Sequence, residues 1–267
     1  MPADVIDYKL IGDDLQAVIV TLDPGEAVVA EAGAMMYMQE GIRLVTTLDP
    51  NENQGLLGKL LAGGKRMLSG DTFFVTVFIN ESTRRRDVAF SSPVPGKIHP
   101  IELREWGGTI VCQKDAFLCG ARGIDVTIAF SKRIGAGFFG GEGFILQKIS
   151  GDGLTFLHAS GTLVDMTLAA GETLTVDTGC LVAFQPSVDY DIRMVPGIKT
   201  ALFGGEGLFF ATLAGPGRVL LQTMPFSRLA DRIIASAPRA GGSRVQEGSV
   251  LGGIGGALLG GVLGGDE

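Results

Sequence analysis

Gly107-Gly108-Thr109-Ile110-Val111-Cys112-Gln113-Lys114-Asp115-Ala116-Phe117-Leu118 is the stretch on which the fold turns. It aligns without gaps with Gly25-Glu26-Ala27-Val28-Val29-Ala30-Glu31-Ala32-Gly33-Ala34-Met35-Met36 upstream. It aligns equally with Gly171-Glu172-Thr173-Leu174-Thr175-Val176-Asp177-Thr178-Gly179-Cys180-Leu181-Val182 downstream. The starts at 25, 107 and 171 give offsets of 82 and 64 residues. Each copy reads as a turn glycine, a strand, a turn at Gly33, Asp115 or Gly179, and then an apolar run.

The same offsets carry the next segment. Gly41-Ile42-Arg43-Leu44 falls on Gly123-Ile124-Asp125-Val126 and on Ser187-Val188-Asp189-Tyr190. Apolar and polar residues alternate there, as on a half-buried strand. A further block recurs as Ser69-Gly70-Asp71-Thr72-Phe73-Phe74, Gly140-Gly141-Glu142-Gly143-Phe144-Ile145 and Gly204-Gly205-Glu206-Gly207-Leu208-Phe209. Strands are expected after each block, at 73–79, 144–149 and 208–213, with returning strands at 154–159 and 218–223. The fold class is therefore all-β. Three tandem β-rich repeats, about 10–95, 96–160 and 161–225, suggest pseudo-threefold symmetry and packing around a shared core.

The spacing of Phe226, Leu229, Ala230, Ile233 and Ile234 predicts a short helix, completing a body over 1–236. Residues 237–267 read as a linker and a glycine-rich tail. In that tail Gly248, Gly252, Gly256, Gly260 and Gly264 recur every four residues. Small residues at this spacing let helices approach closely, often in membranes. Nine glycines stand among residues 248–265. Each costs a helix about 1 kcal/mol relative to Ala, which opposes a free helix in water. A flexible tail, self-association and membrane insertion all stay open.

Composition narrows the function classes. The 267 residues are 46% hydrophobic and include 41 glycines, and net charge is −7 with pI near 4.9. An acidic body repels phosphate backbones, so nucleic acid is disfavoured as a partner. Arg84-Arg85-Arg86 and Lys65-Arg66 read as solvated loop charges. Cys112, Cys119 and Cys180 are odd in number and form no CxxC pair, which favours a reducing compartment over a disulfide framework. The start, Met1-Pro2-Ala3-Asp4-Val5, lacks the pattern of a secretory signal.

No catalytic constellation emerges, and no cofactor is expected. Gly135-Ala136-Gly137-Phe138-Phe139-Gly140 spells GxGxxG, but a strand rather than a helix should follow it, so it reads as a turn. His99 and His158 are the only histidines, too few for a typical zinc enzyme. His158 reads as a satisfied or partly exposed strand residue. Asp71, Glu142 and Glu206 share one repeat position and would converge on a cation only if that position faced the pseudo-axis. The apolar connectors, with Leu56, Leu57, Leu60 and Leu61, then Phe138 and Phe139, then Leu202 and Phe203, read as end plugs or as an interaction surface.

The Gly-Gly-Glu-Gly blocks at 140–143 and 204–207, Pro93-Val94-Pro95-Gly96, and Gln222-Thr223-Met224-Pro225 before the short helix resemble a known family. It is the mitochondrial biogenesis family named for altered inheritance of mitochondria, member twenty-four, which has bacterial members. The resemblance spans about residues 5–236. It implies a fold akin to the double-stranded β-helix, grouped with the tryptophan RNA-binding attenuation proteins. It carries no catalytic residues. The expectation is a non-enzymatic scaffold or interaction protein, homo-oligomeric and cytoplasmic, touching a membrane or protein partner through Gly252, Gly256, Gly260 and Gly264 or the connectors. A small-molecule or lipid-binding β module is the alternative, and a cupin-like metal enzyme the second.

Overall fold

The computed structural model describes residues 2–31, 33–47, 75–132, 144–194 and 209–236. Among the described residues strands dominate, with one α-helix, so the all-β class read from the sequence holds. β1 (Asp7–Ile11) and β2 (Ala17–Leu22) lead into a first set of five strands. This set is β3 (Ala27–Glu31), β4 (Met35–Met38), β5 (Ile42–Thr47), β6 (Val75–Asn80) and β7 (Arg86–Ser91). β8 (Gly96–Glu102) leads the second set, β9 (Thr109–Gln113), β10 (Phe117–Ala121), β11 (Asp125–Lys132), β12 (Phe144–Ser150) and β13 (Leu154–Ser160). β14 (Leu163–Leu168) leads the third, β15 (Thr173–Asp177), β16 (Leu181–Phe184), β17 (Asp189–Met194), β18 (Phe209–Ala214) and β19 (Gly217–Gln222). The helix α1 spans Phe226–Ser236. Residues Met1–Arg228 cluster as one compact unit, and a second begins at Leu229.

Antiparallel pairing follows one scheme in all three sets. The first strand of each set pairs with the fourth, and the fourth with the third: β3·β6·β5, β9·β12·β11 and β15·β18·β17. The leading strand pairs with the fifth, and the fifth with the second: β2·β7·β4, β8·β13·β10 and β14·β19·β16. Register is kept as well. Arg43 faces Ile79 as Asp125 faces Ser150 and Asp189 faces Ala214. A β-bulge falls at the same place each time: between Met35 and Tyr37, between Phe117 and Cys119, and between Leu181 and Ala183. A bulge bends its strand and fixes register, so its recurrence marks a shared local design.

Two further pairings join the sets into larger sheets. β3 pairs with β10, and β9 pairs with β16. Among the described residues four sheets result, ordered β1-β2-β7-β4, β5-β6-β3-β10-β13-β8, β11-β12-β9-β16-β19-β14 and β15-β18-β17.

The expectation of one shared core is corrected here. Buried apolar side chains form successive clusters between pairs of sheets. The first holds Val18, Leu22 and Phe90 against Val28, Phe78 and Phe156. The second holds Ile101, Phe117 and Leu157 against Ile110, Ile149 and Leu220. The third holds Leu146, Leu181 and Phe184 against Val176, Ile192 and Leu213. Alternation along a strand is the reason: neighbouring Phe156 and Leu157 on β13 point to opposite faces and enter different cores. The inner strands β3, β10 and β13 of one six-stranded sheet and β9 and β16 of the other are thus buried on two sides, and they read as nearly continuous apolar runs.

An N-terminal arm laces the first set to the second. The Ala3 amide donates to the Asp152 carboxylate at 2.9 Å, the Asp4 amide donates to the Arg122 carbonyl at 2.8 Å, and the Asp4 carboxylate accepts from the Ala27 amide at 2.8 Å. Gly153 makes room for the arm, since a Cβ there would stand 2.5 Å from the Ala3 methyl.

Candidate interaction surface

The two joins between sets share one geometry. At the first, Cys119 faces Ala30 and Gly120 faces Val29. At the second, Ala183 faces Cys112 and Phe184 faces Val111. By the repeat offsets these are the same positions. β10 and β16 are accordingly buried along their whole length.

β4 is the counterpart of β10 and β16, but it lies at the edge of the first sheet. Met35, Met36, Tyr37 and Met38 are 38 to 48% exposed. Successive strand residues point to opposite faces, so four exposed in a row mean that both faces of β4 reach solvent. β15, counterpart of β3 and β9, lies at the edge of the fourth sheet, with Thr173 and Thr175 exposed and Leu174 half-buried. An edge strand presents unpaired N–H and C=O groups to any strand that can add to it. Met35–Met38 had not been singled out from the sequence. The available signal was the substitution of Met-Met-Tyr-Met for Phe-Leu-Cys-Gly and Leu-Val-Ala-Phe at matched positions. Methionine is flexible and polarisable and is favoured at adaptable contact surfaces.

Other chemistry-bearing groups are dispersed. Burial pushes the Glu31 carboxyl up to about 7, helped by Asp115 and opposed by Lys114. Glu31 closes β3, and its counterpart at the second join, Gln113, donates its side-chain amide to the Thr178 carbonyl at 2.5 Å. His158 is buried, which depresses its pKa to about 4, opposed by its hydrogen bond to the Val94 backbone. Its Nε2 has no hydrogen-bond partner. This corrects the reading of His158 as satisfied or partly exposed: the register of β13 turns it inward, against Gly96. His99 is also held below the ordinary imidazole value, by burial and by Arg218 against the opposing pull of Asp165. Arg218 stacks 4.3 Å over the Trp106 ring and pairs with Asp165 at 2.6 Å. Burial raises the thiols of Cys112, Cys119 and Cys180. Buried thiols of this kind are poor nucleophiles.

Gln147 on β12 is a separate oddity. It is buried, and neither its amide nitrogen nor its amide oxygen has a partner. Among the described residues no group of three or more His, Cys, Asp or Glu side chains is placed to hold a metal ion. No described helix is long and apolar enough to cross a membrane. Phe226, Ile233 and Ile234 of α1 are exposed.

The remaining sequence candidates lie outside the described residues. They are Leu56, Leu57, Leu60 and Leu61, Phe138 and Phe139, Leu202 and Phe203, the tail glycines Gly252, Gly256, Gly260 and Gly264, and the acids Asp71, Glu142 and Glu206. The glycine motif at 135–140 lies outside them too.

The family model described as Mitochondrial biogenesis AIM24 matches residues 8–224, spanning all three strand sets. The chain belongs to the AIM24 family. This agrees with the resemblance carried by the repeated glycine blocks. The chain is 29% identical over 216 residues to an uncharacterized protein of Streptococcus pyogenes serotype M6, covering 79% of this chain and 82% of that one. An X-ray structure of a Streptococcus pyogenes protein is similar with a TM-score of 0.68 and 24% identity. The match covers 87% of this chain and 100% of that one, and at this identity it speaks for the fold alone.

Proposed function

We propose that this AIM24-family chain is a non-enzymatic scaffold that works as a homo-oligomer in the cytoplasm and associates peripherally with a membrane through its glycine-rich tail. The carrying observation is β4, whose Met35, Met36, Tyr37 and Met38 stand exposed where both counterparts are buried in strand joins. An apolar edge of this kind is a site for strand addition by a protein. The acidic balance argues against a nucleic-acid partner. The thrice-used pairing scheme supports a chain built from three tandem repeats as part of this reading.

Sedimentation velocity over a concentration series tests the assembly half of the reading. A single monomer boundary at every concentration would overturn it. Liposome flotation of the full chain against a form lacking residues 237–267 tests the membrane half. Equal recovery in the soluble fraction would remove the tail from the account.

A second reading, a small-molecule or lipid-binding β module, draws on Gln147. A buried amide without partners is costly, on the order of 1–3 kcal/mol for each unsatisfied group, and a bound ligand would satisfy it. Native mass spectrometry favours this reading if a retained small molecule disappears on Gln147→Leu.

A further inference from the structure

We infer that β15 of one copy of this chain pairs antiparallel with β4 of a second copy, remaking between chains the join that β3·β10 and β9·β16 make within one. The inference rests on the assembly reading above and names its partner surface.

Three observations carry it. First, the counterpart strands fall in a consistent order. The first strand of one set always pairs with the second strand of the next, giving β3 with β10 and β9 with β16. Continuing the series leaves β15 as the donor without a next set and β4 as the acceptor without a preceding one. Both are sheet edges among the described residues.

Second, the incomplete sheets are complementary halves. Each inner sheet has six strands, three from one set and three from the next. The fourth sheet is β15-β18-β17 alone, and the first is β2-β7-β4 with β1 added. Pairing β15 with β4 completes the same six-strand order.

Third, the second strand of each set is buried where its join is made and exposed where the join is missing. Phe117, Leu118, Cys119, Leu181, Val182, Ala183 and Phe184 are at most 2% exposed, whereas Met35–Met38 are 38 to 48% exposed. Among the described residues neither edge is paired within the chain, and the close-packed cores on both sides of the inner sheets resist the movement that would bring the two edges together.

The register follows by equivalence. Cys119 opposite Ala30 and Ala183 opposite Cys112 place Tyr37 opposite Val176. Gly120 opposite Val29 and Phe184 opposite Val111 place Met38 opposite Thr175. If each of two copies offers both edges, a reciprocal dimer leaves neither edge free, and any other closure gives a ring or filament.

The test uses exposed positions, so the cores are untouched. Met38→Cys and Thr175→Cys are made in separate full-length chains that also carry Cys180→Ser, mixed, and oxidised. Directly opposed strand residues lie within disulfide reach, while residues two positions away do not. The expected result is a covalent pair of chains in the mixture, at least tenfold more abundant than from Met36→Cys mixed with Thr175→Cys. Sedimentation of the reduced single variants should match the parent chain, which checks that they fold. A disulfide formed only within the doubly substituted chain overturns the inference, because the edges then close on themselves. Oligomers that persist without register-specific cross-linking overturn the interface and leave the scaffold reading standing. A chain that is monomeric throughout overturns both.

Discussion

Cys119 stands directly opposite Ala30 across the β10·β3 join, and both are fully buried. Cys112 and Ala183 repeat the arrangement at the second join. Small side chains here let cores on both sides press against the joined strands. Ala30→Leu should therefore over-pack the join and lower unfolding free energy by about 1–3 kcal/mol. Tyr37→Leu at the open edge should change a dilute sample by about 0.5 kcal/mol or less. Urea denaturation compares the two. Equal losses would mean that β4 is already packed within the chain.

Glu31 makes stability depend on pH. Its folded value of about 7 lies above the ordinary 4.5, so the folded state holds a proton that the unfolded chain releases. The stabilisation is complete below 4.5 and fades as pH rises through 7. Glu31→Gln, the residue type at Gln113, should gain on the parent chain across that window and plateau above it. Thermal melts from pH 4 to 8, a range of about four units around the shifted value, check this.

His158 has the opposite sign. Its folded value of about 4 lies below the ordinary 6.5, so the unfolded chain takes the proton first. Stability is complete above 6.5 and falls as the solution is acidified toward 4. His158→Leu should cost about 1 kcal/mol near neutrality, through the lost bond to the Val94 backbone, and should flatten the acid limb. Denaturation midpoints against pH give the slope directly. An unchanged acid limb would show that other groups set it.

Gly96 and Gly25 separate close approach from backbone strain. A Cβ at Gly96 would meet the Ala159 carbonyl oxygen at 2.0 Å and His158 Nε2 at 2.9 Å. Gly25 has φ +87° and nothing within 4 Å of the same atom. Gly96→Ala should cost on the order of 3 kcal/mol. Gly25→Ala should cost about 1–2 kcal/mol, from the left-handed conformation alone. Similar losses at the two sites, read by chemical denaturation, would mean that β8 yields at Gly96.

Much of the strand order was legible in the sequence because turns and alternation are local. Gly41-Ile42-Arg43-Leu44 and its counterparts indicated the third strand of each set, and the paired registers keep the offsets of 82 and 64 between 43, 125 and 189. The leading strands β2, β8 and β14 were not legible, because they lie outside the aligned blocks. The joins were hidden for a different reason. Pairing Ala30 with Cys119 links residues far apart in sequence, and no local pattern encodes it. Met35–Met38 read as one more apolar strand, since hydropathy cannot distinguish a strand that lacks its neighbour. His158 and Gln147 looked ordinary because an alternating pattern does not say which residues lack hydrogen-bond partners.

The most direct test of edge pairing between copies is hydrogen exchange of β4 and β15 as protein concentration rises. Peptides covering 35–38 and 173–177 should gain protection together, with peptides from β10 and β16 already protected at the lowest concentration. Protection of β4 and β15 that stays the same at every concentration would contradict the account.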